Sequence, residues 1–210
     1  MALNHAATPP AKRALKLRAA ARAITRHFPT HLPPFLFLTD PVRTPTPEAE
    51  MMTLPPECGI VFRHFGDEAE IDFIHEFSTI LHREGRIFLI AADPELALET
   101  GATGVHWPEK RLKKTRHWRG KFQLQTASAH SARALRAAAK AEMDAVLLSP
   151  IFPSNSPSAG RLLSPARFRS LAESADLPIY GLGGLNMRNF NRITSSAGIA
   201  AIDGFGEKQP

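Results

Sequence analysis

The sequence predicts an α/β fold: a (β/α)₈ TIM barrel in a single domain, preceded by an extra basic helix. Three observations carry this. Eight short apolar runs alternate with helix-forming segments after Pro34. Several runs are continuously apolar, as expected of parallel strands buried on both faces. The seventh run ends in "GLGG" (181–184), where phosphate-binding barrels of this kind place a phosphate loop. A doubly wound open sheet fits the alternation as well, and the place of the Gly-rich turn decides for the barrel.

The chain has 210 residues, 43% of them hydrophobic, enough to fill the core of one such domain. Its single cysteine, Cys58, excludes a disulfide framework and a Cys-based zinc site, and points to a reducing, cytoplasmic setting. No apolar run is long enough to span a membrane, and the N-terminus lacks the apolar core of a signal peptide. The net charge of +6 is unevenly placed: Lys12, Arg13, Lys16, Arg18, Arg22 and Arg26 precede residue 35, and no acid does. The rest of the chain is neutral, which argues against a nucleic-acid-binding face.

Residues 1–34 form a basic extension whose Leu17, Ala20 or Ala21, Ile24 and Phe28 recur at helical spacing. It reads as a helix docked on the barrel, a basic tail or a targeting segment. Residues 35–207 form the barrel. Its strands are expected at 35–40, 59–65, 86–92, 104–107, 122–130, 145–152, 178–184 and 198–205. Helices fall at 68–84, with Ile71, Ile74, His75 and Ile80 inward; at 131–141, capped by Ser131; and at 165–174, with Ser164 before Pro165. Shorter ones fall at 94–100, 109–117 and 188–195, and the Pro-rich connection 41–58 holds only a stub. The Ser- and Pro-rich stretch 147–165 is the sixth strand plus a shaped loop rather than a linker, because the same rhythm continues beyond it.

In a barrel the C-terminal strand ends face one mouth, where the active site sits. There the sequence puts Asp40, Arg63 with His64, Asp93, His106, Ser128 with His130, Ser149 followed by Ser154 and Ser156, Gly183 with Gly184, and Asp203. Arg63 can clamp an anion, and His130 or His106 can move a proton near neutral pH. The hydroxyls and Gly N–H groups can hold phosphate oxygens. Each has a plainer reading too: Asp40 as a turn cap, Arg63 as an ion-pair partner, each His as a packed residue, "GLGG" as a tight turn.

The ordered segments "FLFLTD", "GIVFRHF", "GATGVH", "SAHS", "SPIFPS" and "GLGGLNMRN" resemble the thiamine phosphate synthase and TenI family over about residues 35–205. The resemblance implies a (β/α)₈ barrel that binds thiazole phosphate in thiamine biosynthesis. Synthases of the family join it to a pyrimidine pyrophosphate with Mg²⁺. The TenI branch aromatises a thiazole phosphate tautomer, using a histidine at the position of His130. No nucleic acid or membrane span is implied, and a homo-oligomer is compatible.

The departures fall on the synthase machinery. The family's Gln-Leu-Arg-Glu-Lys is Val61, Phe62, Arg63, His64, Phe65 here, so the Arg stays and the Glu and Lys are gone. The Asn-Asp after strand three, whose Asp takes Mg²⁺, aligns with Ala91 and Ala92. The second metal Asp aligns with Arg111, and the pyrophosphate Lys of the sixth-strand loop with Pro157. The thiazole-tautomerase reaction is therefore favoured, with His130 and Arg63 catalytic, and Ser154, Ser156, Gly183, Gly184, His106 and Asp40 binding substrate or phosphate. No cofactor is then expected. The alternatives are an active synthase whose Mg²⁺ site is rebuilt from Asp93 and Glu109, and a non-catalytic barrel that binds a phosphometabolite.

Overall fold

A computed structural model describes residues 10–153, 162–203 and 205. Eight parallel strands close into a barrel in sequence order. They are β1 (Phe35–Leu38), β2 (Cys58–Phe62), β3 (Phe88–Ala91), β4 (Gly104–Trp107), β5 (Leu124–Ala129), β6 (Ala145–Leu148), β7 (Ile179–Gly181) and β8 (Gly198–Ala201). β8 returns to β1, with Ile199 opposite Phe35. Nearly every strand residue is buried, inward ones in the barrel and outward ones under helices, which is why the runs read as continuously apolar. The expected strands are all present: β4 matches its expected bounds, β2 starts one residue earlier and stops sooner, and the rest are trimmed at one or both ends.

The helices are α1 (Pro10–Ile24), α2 (Pro47–Thr53), α3 (Glu68–Arg83), α4 (Pro94–Glu99), α5 (Ala132–Lys140) and α6 (Pro165–Glu173). Ser131 Oγ accepts from the Ala134 N–H at 3.1 Å, and Ser164 Oγ from the Arg167 N–H at 3.3 Å, so both expected caps form. Two expectations are corrected. The inward face of α3 is Ile74, Phe77, Ser78 and Leu81, an i, i+3, i+4, i+7 stripe; His75 faces out, 3.9 Å from Glu99, and Ile71 and Ile80 are only half-buried. The segment Glu109–Trp118 is 3₁₀ rather than α-helical, and of 188–195 only a 3₁₀ turn, Phe190–Arg192, is helical.

α1 docks at the N-terminal ends of the strands. Leu17, Ala20, Ile24 and Phe28 are buried. The Phe28 ring meets Tyr180 of β7 edge-on at 5.0 Å, and the Tyr180 hydroxyl donates to the Pro33 carbonyl at 2.6 Å. Gly198 admits that ring, since a Cβ there would lie 2.6 Å from it. The buried Arg13 donates to Thr53 Oγ1 at 3.1 Å and lies 3.6 Å from Glu50. A cavity of about 960 Å³ opens between α1 and the strand-start loops, lined in part by Arg18, Arg22, Leu54, Pro55 and Gly59. It sits at the opposite end from the mouth, and the chemistry-bearing residues lie elsewhere.

Candidate active site

The C-terminal mouth is held by polar side chains that bridge neighbouring strand ends. Arg63, just past β2, donates through Nε to the Thr39 carbonyl at 2.6 Å and through Nη2 to Asp40 Oδ2 at 2.9 Å. The other Asp40 oxygen accepts from the N–H groups of Val42 and Arg43. Asp40 therefore both caps the turn after β1 and orients Arg63, and its carboxylate is committed to those donors rather than to a phosphate. Burial lowers the Arg63 pKa, and the Asp40 charge opposes that. Phe65 stands 72% exposed beside it, with φ +52, its ring centroid 5.4 Å from the guanidinium carbon.

His106 is buried among the strands rather than free at the mouth. Pairing of β4 with β5 sets it opposite Thr126. Its Nδ1 lies 2.9 Å from Thr126 Oγ1 and its Nε2 2.9 Å from Ser128 Oγ. Burial, and then the Arg63 charge, push it down to about 3, so it is neutral at physiological pH. A neutral ring has one N–H and one lone pair, so one hydroxyl accepts from it and the other donates to it. His106 thus fixes Ser128.

His130 leaves the end of β5 and is exposed. Its Nδ1 is 3.1 Å from the Ser149 carbonyl and 3.2 Å from Ser149 Oγ. A carbonyl only accepts, so in the tautomer that bonds it Nδ1 carries the proton and Nε2 keeps its lone pair. Among the described residues none bonds to that Nε2.

Gly183 and Gly184 follow β7 with φ +92 and +64. A Cβ on Gly183 would lie 2.9 Å from Pro150, and one on Gly184 2.4 Å from the Pro153 carbonyl oxygen, so the turn runs backbone against backbone along the loop after β6. The Phe152 N–H donates to the Gly183 carbonyl, and Asn189 Nδ2 to that of Gly184. The amide N–H groups of both glycines find no acceptor among the described residues. Ser154 and Ser156 lie outside the described residues.

The fallback carboxylates are separated in role. Asp93 caps α4 by accepting from the Leu96 N–H at 2.9 Å, and its other oxygen faces His64 Nε2 at 3.4 Å. His64 Nδ1 accepts from the Gly66 N–H, so its proton sits on Nε2, toward Asp93. Glu109 opens the 3₁₀ segment after β4. Among the described residues no three His, Cys, Asp or Glu converge to hold a metal. Mg²⁺ asks for octahedral oxygen ligands, with carboxylates among them. With Ala91, Ala92 and Arg111 at the aligned positions, the donor set does not fit it.

Sequence reasoning missed the ion pair Arg43–Asp203, 2.6 Å, which ties the turn after β1 to the end of β8, and the part Thr39 and Thr126 play in orienting Arg63 and His106. The strand-end position of Asp203 was the available signal; its partner depends on barrel closure.

The model of the family described as thiamine monophosphate synthase matches residues 60–205, from β2 to the end of the barrel. The chain belongs to that family. Among relatives, the thiamine biosynthesis bifunctional protein ThiM/ThiE of Symbiobacterium thermophilum is 31% identical over 139 residues, 64% of this chain and 29% of that protein. The thiamine-phosphate synthase of Bacillus mycoides is 30% identical over 128 residues, 58% of this chain and 57% of its own. The matched stretch thus spans less than two thirds of either relative. The solved thiamine phosphate pyrophosphorylase of Pyrococcus furiosus superposes with a TM-score of 0.65 at 16% identity, over 80% of this chain and 84% of that one. FabK of Thermotoga maritima gives the same TM-score at 13% identity over 89% and 61%, so these two likenesses speak to the barrel fold alone.

Proposed function

We propose that this family member binds a thiazole phosphate at the C-terminal mouth and aromatises a thiazole phosphate tautomer, with His130 as general acid and base. The observation that carries this is the His130 ring: Nδ1–H is held by the Ser149 carbonyl, and Nε2 stands with a lone pair at the mouth. Tautomerisation moves one proton between two positions on the substrate. Nε2 takes the proton from ring carbon and returns it to the second position, so one base suffices and no leaving group needs stabilising. The unbonded N–H groups of Gly183 and Gly184 receive the phosphate, with Ser154 and Ser156 as hydroxyl donors. Arg63, oriented by Asp40, adds positive charge at the mouth. The test is aromatic thiazole formation, followed by ultraviolet absorbance. His130→Ala lowers the rate by about 10²–10⁴-fold while leaving the far-ultraviolet circular dichroism unchanged; a wild-type rate no faster than buffer refutes the proposal.

The second reading, an active thiamine phosphate synthase with Mg²⁺ held by Asp93 and Glu109, has the names of the relatives in its favour. Against it, Asp93 is occupied by α4 and His64. Magnesium-dependent thiamine phosphate formation is its signature.

A further inference from the structure

We infer that a second copy of this chain docks on the face formed by α3, α4, the 3₁₀ segment Glu109–Trp118 and α5, as a two-fold dimer in which the acidic half of each face meets the basic half of the other. Charge along the chain falls into two adjoining blocks. Residues 64–109 hold ten acidic residues and two basic ones; residues 110–141 hold ten basic residues and no acid. The fold sets these blocks side by side on the outside of the barrel. α4 packs on β3 and β4, the 3₁₀ segment on β4 and β5, and α5 against that segment. Arg111 Nη1 donates at 2.7 Å to the carbonyl of Ala92, just before α4, so the blocks touch along a seam.

Helix geometry turns both signs outward. Residues three apart eclipse in a 3₁₀ helix. The row Leu112, Thr115, Trp118 is buried or half-buried; the other two rows, Lys110, Lys113, Arg116 and Arg111, Lys114, His117, are exposed. α5 extends this ridge with exposed Arg133, Arg136 and Lys140, at i, i+3 and i+7. On the acidic side Glu68, Asp72, Glu76, Glu95 and Glu99 are exposed. Among the described residues no ion pair crosses the seam: Arg119 pairs with Glu142, beyond the basic block, and Glu99 faces His75 within the acidic one. At the seam Leu98 of α4 stands 51% exposed between Glu95 and Glu99. An apolar centre within a charged rim is how protein interfaces are built. A two-fold axis over the seam carries the acidic half of one copy onto the basic half of the other, brings Leu98 close to its own copy, and closes the assembly at two. A nucleic-acid strand would meet the cations and then, about 10 Å further on, one helix spacing away, the carboxylates. A second copy satisfies both halves at once.

Sedimentation velocity of the full chain tests this. At about 50 μM protein and about 50 mM salt, wild type is expected to sediment as a dimer. Its dissociation constant is expected to rise about tenfold or more by about 0.5 M salt. Lys113→Glu with Lys114→Glu, and separately Glu95→Lys with Glu99→Lys, are each expected to give monomers, because each sets like charges across the contact. An equal mixture of the two variants is expected to recover a dimer, the reversed halves now matching; thermal melts verify that each variant folds. Leu98→Asp is expected to weaken the dimer about tenfold or more. A wild type that stays monomeric at both salt concentrations overturns the inference, as does a dimer indifferent to salt and to both reversals. Folded reversed variants that do not pair when mixed overturn it as well. A monomeric wild type that binds a labelled RNA oligonucleotide through Lys113 and Lys114 overturns it in favour of a nucleic-acid face.

Discussion

At the scale of single residues, His106 carries a pH dependence of sign opposite to that of a salt-bridged histidine. Its native pKa, about 3, lies below the ordinary value of 6.5. Between those values the unfolded chain binds a proton that the native one refuses, so stability is complete above pH 6.5 and falls as pH drops toward 3. The loss is on the order of 4 kcal/mol. Urea unfolding of wild type and His106→Asn across that range measures it: the variant is expected to have the flatter acid limb, because the amide cannot take up the proton. The thiol of Cys58 is likewise buried and raised to about 12. It is expected to stay unreactive toward an aromatic disulfide reagent in the native protein and to react at once in denaturant. Gly184→Ala forces a Cβ to 2.4 Å from the Pro153 carbonyl oxygen at φ +64, and is expected to cost about 2–3 kcal/mol in a thermal or urea melt. A mutant within about 0.5 kcal/mol of wild type would show that the two loops do not pack this closely.

At the scale of elements, α1 shows what the sequence disclosed and what it withheld. Leu17, Ala20, Ile24 and Phe28 announced an amphipathic helix; where it would dock could not be read, because the Tyr180 ring that receives Phe28 is 152 positions away and is reached only after barrel closure. Ile24→Ala is expected to destabilise by about 2–4 kcal/mol, whereas Leu15→Ala, at a position 69% exposed, stays within about 0.5 kcal/mol of wild type. Equal effects would show the helix undocked. The strands were legible because parallel strands covered on both faces leave unbroken apolar runs. The inward face of α3 was read only in part: Ile74 lies on it, but Ile71 and Ile80 flank it half-buried and drew the stripe away from Phe77 and Leu81; helical spacing alone allows either face until the sheet selects one. The site was legible as a set of strand ends and not as a network. Thr126–His106–Ser128 and Thr39–Arg63–Asp40 depend on which strand residues stand opposite one another, and register is not written in either strand by itself.

At the scale of the whole molecule, the barrel divides its work between two ends. The N-terminal end is closed by α1 and Phe28 and holds packing residues. The C-terminal end gathers Arg63, Arg111, His130 and the Gly183–Gly184 turn, the positions that parallel strand direction assigns to chemistry. This mouth carries the exposed His130 and two arginines, Arg63 and Arg111, with Ala91, Ala92 and Arg111 where the resemblance expects metal carboxylates. The measurement that meets this account most directly runs two assays side by side on one preparation: aromatisation of the thiazole phosphate tautomer in EDTA, and magnesium-dependent thiamine phosphate formation from thiazole phosphate and the pyrimidine pyrophosphate. The account predicts aromatisation in EDTA that is lost in His130→Ala, and no thiamine phosphate above background. Magnesium-dependent thiamine phosphate formation without aromatisation would contradict it.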